Sequence, residues 1–244
     1  MNNPNYYRER ITLLLVLISH FCNAQSDDYL QKSNEALANG RYTEAIGYLD
    51  KLLESNADNE QALLLRSQAN YALKKYDLVI QDCEKILQIN NTIITDDDFT
   101  AIWNLGVTYN SMRQFEKARS YFDKALKMQP ENIRLYDNIG YSYVEEKNYT
   151  MALKQFQKMV SLNSRSDKGF YEIGKVYYLK KEYKKAIEAF NKAIELNPSY
   201  GIAYQNRGSA KLELKDMEGC CRDWKKSEAL GITQIKPYIA KYCK

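Results

Sequence analysis

Cysteine and histidine are the side chains in this sequence best able to act as nucleophiles, bases or metal ligands. The chain holds five cysteines, at positions 22, 83, 220, 221 and 243, and a single histidine, His20. No two cysteines are spaced as a Cys-x-x-Cys pair, so neither a zinc ribbon nor a thioredoxin-type redox motif is indicated. In an oxidising compartment the natural use of a cysteine pair is a disulfide.

The N-terminus has the pattern of an export signal. Basic Arg8 and Arg10 precede an apolar run over 11–18, and small residues follow up to Ala24. A membrane anchor is one alternative, but a spanning helix needs about 20 apolar residues and this run stops after about eight. We expect a signal peptide over 1–24, cleaved near Ala24, with the periplasm or cell envelope as the destination and secretion as the alternative.

A lipid anchor on Cys22 is a further alternative, although the residues before it lack the leucine of a lipobox. Cleavage near Ala24 would remove His20 and leave a mature chain without histidine. That excludes Ser-His-Asp and Cys-His catalysis as well as imidazole-ligated metal sites. We therefore expect no enzymatic activity, no catalytic residues, no cofactor and no metal. Chemistry carried by lysine or carboxylate alone is the enzymatic alternative left open.

An internal repeat sets the elements that must position the remaining residues. Glycines at 106, 140, 174 and 208 lie 34 residues apart. A bulky series keeps this step except for one interval of 39: Tyr42, Tyr76, Phe115, Tyr149, Tyr183 and Met217. A series of mostly small residues runs in parallel: Ala45, Val79, Ala118, Ala152, Ala186 and Cys220. A fixed period of this length indicates stacked repeat units.

Each unit has the periodicity of two helices. Within 167–200, one apolar stripe precedes a break at 180–182 and a second stripe follows it. Pro130 and Pro198 end second helices, because proline cannot donate the intrahelical hydrogen bond. The interval of 39 predicts a five-residue insertion over 94–98. We interpret its three aspartates as a solvated loop that ends in an N-cap, and not as a metal site.

A 34-residue unit with a small residue at place 8, an aromatic at place 11, alanine at 20 and 27 and an aromatic at 24 resembles the tetratricopeptide repeat. The resemblance covers about residues 26–234. It is looser in the first unit, which has Ser33 and Ala36 at places 8 and 11, in the second, which has Ser67 and Asn70 there, and in the sixth, which has Lys211 at place 11. It implies an all-α, right-handed superhelical α-solenoid of six helix-turn-helix repeats plus a C-terminal capping helix.

The predicted domain boundaries follow from this register. The repeats span 26–59, 60–93, 99–132, 133–166, 167–200 and 201–234, with the insertion loop at 94–98 and the capping helix at 235–244. A single repeat cannot bury both of its faces, so the units must stack on one another.

The C-terminal segment resembles the cap of many exported bacterial repeat proteins, in which a cysteine before Asp-x-Trp accompanies a cysteine near the end. That resemblance implies a disulfide between Cys221 and Cys243, with Cys220 at the small, buried place 20. A bond between Cys220 and Cys243, and two free thiols, are the alternatives. Cys83 occupies an apolar helical position and is expected in the core.

The family resemblance also implies that places 2, 5, 9, 12 and 13 of each unit face a concave groove. A partner-binding set follows: Leu64, Gln68, Tyr71, Trp103, Val107, Asn110, Arg134, Tyr141, Lys168, Tyr171, Lys175 and Tyr178. Tryptophan and tyrosine dominate binding hot spots, although such rings can instead pack against one another. A clamp for a C-terminal carboxylate is not expected, because Leu64 stands where its lysine would be.

Charge is unevenly distributed along the chain. Residues 26–98 contain 7 Lys plus Arg against 14 Asp plus Glu, and residues 99–244 contain 26 against 16. We expect a non-catalytic scaffold or adaptor of the bacterial cell envelope that binds a protein or peptide in its concave groove. The alternative is a structural subunit that acts by homo-oligomerisation or through its convex face. Neither nucleic acid nor a stable membrane span is expected.

Overall fold

A computed structural model describes residues 25–89 and 95–243, and every regular element in these ranges is a helix. The signal peptide expected over 1–24 lies outside the described residues. The helices are α1 (25–38), α2 (Tyr42–Ser55), α3 (Glu60–Ala72), α4 (Tyr76–Ile89), α5 (Asp96–Ser111), α6 (Phe115–Met128), α7 (Ile133–Glu145), α8 (Tyr149–Leu162), α9 (Asp167–Leu179), α10 (Tyr183–Leu196), α11 (Gly201–Glu213), α12 (Met217–Ala229), a 3₁₀ turn (Thr233–Ile235) and α13 (Lys236–Tyr242). The all-α prediction is confirmed.

The chain forms two compact units, divided after Arg113. In unit 1, helix α3 packs against α2, α4 and α5, and α4 packs against α5. In unit 2, α7 packs on α8, α9 on α10 and α11 on α12, while α8 contacts α9 and α10 contacts α11. This succession of antiparallel helix pairs is the packing of a tetratricopeptide solenoid.

The turns between paired helices repeat with the period of the sequence. One residue in each turn has a positive φ between 58° and 70°: Gly40, Lys74, Arg113, Lys147, Lys181 and Lys215. After α9, for example, the N–H groups of Lys181 and Glu182 donate to the carbonyls of Tyr178 and Tyr177, both at 2.9 Å. These bonds satisfy helix-terminal carbonyls. The break predicted at 180–182 is confirmed.

The insertion ends earlier than the sequence predicts. Residues 90–94 lie outside the described ranges, but Asp96, Asp97 and Asp98 form the first turn of α5, so the loop predicted over them is wrong. Thr95 is the N-cap, because its hydroxyl accepts from the Asp98 N–H at 3.1 Å while the Asp98 carboxylate accepts from the Thr95 N–H at 2.7 Å. Such a capping box and the favourable placement of acids at a helix N-terminus extend the helix.

The core of each pair depends on close contact between a small residue and a large one. The phenyl ring of Phe190 is fully buried against Gly174, and a Cβ atom at that glycine would lie 2.6 Å from the ring. Trp224 covers Gly208 in the same way, at 2.6 Å. The aromatic side chain of the second helix therefore fills the space that the glycine of the first helix leaves open.

The C-terminal cap is short and packs on α12. The ring of Trp224 lies 6.0 Å from those of Tyr238 and Tyr242. The structure places Cys221 close to Cys243, with Cα atoms 5.5 Å apart, within the range that a disulfide requires. Cys220 is fully buried, as expected of place 20. Among the helices described, none is long and apolar enough to cross a membrane.

Candidate peptide-binding surfaces

A cavity of about 320 Å³ lies between α3 and α5 in unit 1. It is lined by Leu64, Leu65, Ser67, Gln68, Tyr71, Val79, Thr100, Asn104 and Val107. Four of these, Leu64, Gln68, Tyr71 and Val107, belong to the set predicted from the sequence. The structure therefore brings together most of the groove residues predicted for this unit.

The floor of the cavity is part of the unit 1 core. Val79 of α4 is only 1% exposed, and Ser67 is fully buried. The Ser67 hydroxyl donates to the Leu64 carbonyl at 2.7 Å, and the side-chain amide of Asn104 lies 3.5 Å from the same hydroxyl. Serine at place 8, where repeats three to six have glycine, thus gives an otherwise apolar floor one polar group.

A hydrogen bond closes one end of the cavity. The hydroxyls of Tyr71 and Ser111 are 2.8 Å apart and join the C-terminal turns of α3 and α5. Tyr71 keeps 36% of its surface exposed and packs beside Tyr76, with ring centroids 5.9 Å apart. This hydrogen bond holds the ring of Tyr71, which forms an aromatic wall of the cavity, and leaves the outer face of the ring accessible.

Two predicted groove residues of unit 1 lie elsewhere. Trp103 does not line the cavity, and its ring lies 6.3 Å from that of Phe99 on its own helix. Asn110 is only 7% exposed, so the partner contact predicted for it is wrong. Its place on α5 turns it towards the core of the unit.

In unit 2 the predicted lysines pair with acidic residues on α7 and α9. Lys168 Nζ lies 2.5 Å from Asp137, and Lys175 Nζ lies 2.8 Å from Glu172. Burial raises the pKa of Glu172 above its usual value, against the opposing charge and hydrogen bond of Lys175. A neighbouring carboxylate therefore offsets the charge of each of these two lysines, which leaves them little net charge to attract a ligand.

The tyrosines predicted to line unit 2 differ in exposure. Tyr171 is only 8% exposed, and its hydroxyl accepts from the Asn206 amide at 3.0 Å, so the binding role predicted for it is wrong. Burial raises its pKa to about 12. Tyr178 is half-buried against Tyr183. Tyr141 is 48% exposed, and Arg134 is exposed as well.

Two family models of tetratricopeptide repeats match the chain, in agreement with its helix pairs and with the packing at each place of the repeat. A model described as "Psidin, N-terminal TPR repeats region" matches residues 30–172, and one described as "Tetratricopeptide repeat" matches residues 168–200. The chain belongs to the tetratricopeptide repeat family. Proteins of this family generally act as interaction scaffolds, and neither model indicates an enzyme family.

Curated relatives share only part of their length with this tetratricopeptide repeat chain. Sperm-associated antigen 1 of Rattus norvegicus is 30% identical over 101 residues, which are 41% of this chain and 11% of that protein. RNA polymerase II-associated protein 3 of Mus musculus is 25% identical over 103 residues, 42% of this chain and 15% of that protein. The chain thus matches about a tenth to a seventh of these proteins.

Solved tetratricopeptide repeat structures match most of the chain. The C-terminal part of a TPR repeat-containing protein from Cytophaga hutchinsonii is 25% identical, with a TM-score of 0.68 over 87% of this chain and 81% of that one. PilF of Pseudomonas aeruginosa is 17% identical, with a TM-score of 0.67 over 90% and 98%. YrrB, described as a TPR protein with an unusual peptide-binding site, is 19% identical, with a TM-score of 0.56 over 79% and 97%. At these lower identities the likeness shows the fold alone.

The family register did not identify every residue of the cavity. Its prediction left out Leu65, Ser67, Val79, Thr100 and Asn104. Ser67 carried a signal, because it departs from the glycine of place 8. Val79 gives no such signal in the sequence, because a core residue forms the floor of a cavity only where the neighbouring helices stand apart.

Proposed function

We propose that this chain is a non-catalytic scaffold that binds a peptide segment of a partner protein in the cavity between α3 and α5. The observation that carries the proposal is the cavity itself. Its apolar walls, formed by Leu64, Leu65 and Val107, surround a few polar groups, which include Gln68 and Asn104. Ligand sites combine apolar lining with a small number of placed polar groups in this way.

We further propose that the protein acts in the bacterial cell envelope after export. The basic and apolar N-terminal pattern over 1–24 supports this proposal. So does the proximity of Cys221 to Cys243, because disulfides persist in oxidising compartments. Release of a chain that begins near Gln25, measured as an intact mass in envelope fractions, is the expected result; a chain that retains residues 1–24 would contradict it.

The binding proposal is tested by partner capture followed by direct titration. The full chain serves as bait in envelope extracts of the source organism, in parallel with Val107→Glu, which places a charge in the cavity wall. Leu214→Glu is the matched control, because it places the same charge on an exposed apolar side chain of unit 2 that is not in the predicted binding set. Circular dichroism confirms that all three proteins retain the same helical content.

We expect one partner to bind the wild type and the Leu214→Glu control and to be lost with Val107→Glu. A peptide from that partner should then bind the purified full chain with one-to-one stoichiometry. Retention of the partner by Val107→Glu would overturn the cavity assignment. Mass that rises with concentration in the wild type, without any bound partner, would favour a self-associating structural subunit.

A further inference from the structure

We propose that the segment bound between α3 and α5 carries a lysine or arginine next to a bulky apolar residue. This inference rests on the proposed function and adds the chemistry of its ligand. The apolar residue enters the cavity, and the basic residue faces the acidic first turn of α5. Three features of unit 1 carry the inference: the size of the cavity, the position of two aspartates and the basic character of the opposite end.

The cavity has the size for one large side chain. Its volume of about 320 Å³ is at the lower end of the range of roughly 300–1,000 Å³ that ligand sites occupy. Leu64, Leu65, Val79 and Val107 supply aliphatic lining, and the ring of Tyr71 supplies an aromatic wall. Burial of an apolar side chain there would provide the binding free energy.

Two aspartates stand one helical turn above the cavity on the same face of α5. Thr100, Asn104 and Val107 line the cavity at helical spacing, and Asp97 continues their stripe by three residues towards the N-terminus. The Thr100 hydroxyl donates to the Asp96 carbonyl at 2.9 Å, which places Asp96 on the same turn. This turn exists because α5 has 16 residues where α3, α7, α9 and α11 each have 13.

The charge of this turn is negative after its internal contacts are counted. The Asp98 carboxylate is used by the N-cap at Thr95. In the described part of the chain no salt bridge neutralises Asp96 or Asp97. A helix N-terminus contributes only about half a positive charge, which two carboxylates exceed. Residues 25–113 contain 8 Lys plus Arg and 14 Asp plus Glu, so unit 1 as a whole has a negative net charge.

The other end of the cavity is basic, which gives the ligand a direction. The bond between Tyr71 and Ser111 shows that the C-terminal ends of α3 and α5 lie together, opposite the α5 N-terminus. Lys74 and Lys75 follow directly after α3 and are exposed. A basic side chain of the ligand is therefore repelled at this end and attracted at the Asp96 and Asp97 end.

A positional-scanning library of acetylated, amidated octapeptides tests the proposal on the full chain. Enrichment is read by mass spectrometry of the bound peptides, and affinities of the best sequences are measured by fluorescence anisotropy. We expect a bulky apolar residue at one position and lysine or arginine on one side of it. The affinity should fall as salt rises from low to high ionic strength, because the contact is exposed.

Charge variants assign the basic preference to α5. The double variant Asp96→Asn, Asp97→Asn should weaken the best basic peptide by about fivefold at low salt, in line with the small free energy of exposed ion pairs. Glu35→Gln, Glu54→Gln removes the same charge from exposed positions on α1 and α2 and should leave the affinity unchanged. Val107→Glu should abolish selection of the apolar residue.

The possible failures are distinguishable. Selection of an apolar residue without a basic neighbour, or with an acidic one, would overturn this inference and leave the cavity as a binding site. Equal losses in the α5 variant and its control would overturn it as well, since general attraction to unit 1 would then suffice. No selection by the wild type, or selection that Val107→Glu does not change, would overturn both this inference and the proposed function.

Discussion

Arg207 binds Asp223 through two parallel hydrogen bonds, from Nε at 2.8 Å and from Nη2 at 2.6 Å. The pair joins α11 to α12 at places 7 and 23 of the sixth repeat, and Asp223 is almost wholly buried. Lys211, at place 11, reaches the same carboxylate at 2.8 Å. Planar guanidinium and carboxylate groups match each other in this arrangement, which fixes the geometry as well as the charge.

The second repeat contains the same arrangement. Arg66 donates to Asp82 from Nε at 3.1 Å and from Nη2 at 2.6 Å, again from place 7 to place 23. Place 11 is Asn70, which lowers the pKa of the Asp82 carboxyl against the larger, opposite effect of burial. Repeats two and six, which lack the aromatic residue at place 11, are thus completed by an arginine, an aspartate and a polar residue. Repeat one also lacks it and has Ala36 there. Repeat five has an apolar set at these places: Ile173, Tyr177 and Ala189.

Loss of one partner of this set is expected to destabilise the protein. Asp223→Ala should lower the free energy of unfolding by about 3 kcal/mol, because it leaves Arg207 and Lys211 without a carboxylate in a mostly buried position. The measurement is urea denaturation followed by circular dichroism.

Replacement of the whole set gives the matched control. The triple variant Arg207→Ile, Lys211→Tyr, Asp223→Ala introduces the apolar set of repeat five and should recover stability to within about 1 kcal/mol of the wild type, because apolar residues can replace a buried ionic group. A triple variant as unstable as Asp223→Ala would show that the charges are required for packing at this place.

Two glycines in helices should respond in opposite directions to alanine. A Cβ atom at Gly174 would lie 2.6 Å from the buried ring of Phe190, whereas nothing lies within 4 Å of one at Gly47. Gly174→Ala should destabilise by about 1–2 kcal/mol, since overpacking exceeds the gain in helix propensity. Gly47→Ala should stabilise by up to about 1 kcal/mol. Thermal denaturation of both variants decides the point, and stabilisation by Gly174→Ala would contradict the tight packing.

Local pattern was sufficient to predict the helices but not the exposure of the groove residues. The 34-residue period located the turns, because each one follows a repeated apolar stripe. The family register places both Tyr141 and Tyr171 in the groove, yet Tyr141 is half exposed and Tyr171 is buried. Tyr200, whose ring lies 5.0 Å away, and Asn206 of α11 cover Tyr171. Asn206 belongs to the next repeat, about which the pattern within the fifth repeat contains no information.

The start of α5 illustrates a second limit of the sequence. Three consecutive aspartates predict solvent exposure equally well in a loop and in the first turn of a helix. The hydrogen bonds between Thr95 and Asp98 decide for the helix. The cavity depends on the distance between α3 and α5, which neither helix determines alone.

Cysteine variants should distinguish the pairing near the C-terminus. If Cys221 pairs with Cys243, alkylation of the denatured but unreduced protein should leave Cys243 unmodified in the wild type and in Cys220→Ala. The same cysteine should be modified in Cys221→Ala. Cys220→Ala is a suitable control, because alanine occupies place 20 in repeats one, three, four and five. Modification of Cys243 in Cys220→Ala alone would assign the bond to Cys220.

The bond should also contribute to stability. It would close a loop with a sequence separation of 22 residues, which the chain-entropy account values at about 3 kcal/mol. Urea denaturation of Cys221→Ala should show a loss of this size, and Cys220→Ala should show a much smaller one. Equal stability of Cys221→Ala and the reduced wild type would confirm that the loss arises from the bond and not from the side chain.

Glu172 should make stability depend on pH in the direction opposite to that of an exposed, salt-bridged carboxylate. Burial raises its pKa above the usual 4.5; Lys175 and Lys168 oppose the shift, and Asp137 adds to it. Because the folded state then holds the proton more tightly than the unfolded state, this group lowers the free energy of unfolding as the pH rises above 4.5. Its stabilising contribution is complete below that pH and is lost through the folded pKa.

Glu172→Gln isolates this contribution, because glutamine keeps the shape and cannot ionise. The difference in unfolding free energy, variant minus wild type, should grow in favour of glutamine from pH 4.5 upwards and then level off above the folded pKa. Lys175, which has more than a third of its side chain exposed, can be hydrated after it loses its partner, so the variant should remain folded. Urea denaturation in matched buffers across this range measures the difference. A difference that shrinks as the pH rises would show that Lys175 holds Glu172 ionised, and that attraction in the pair exceeds the cost of burial.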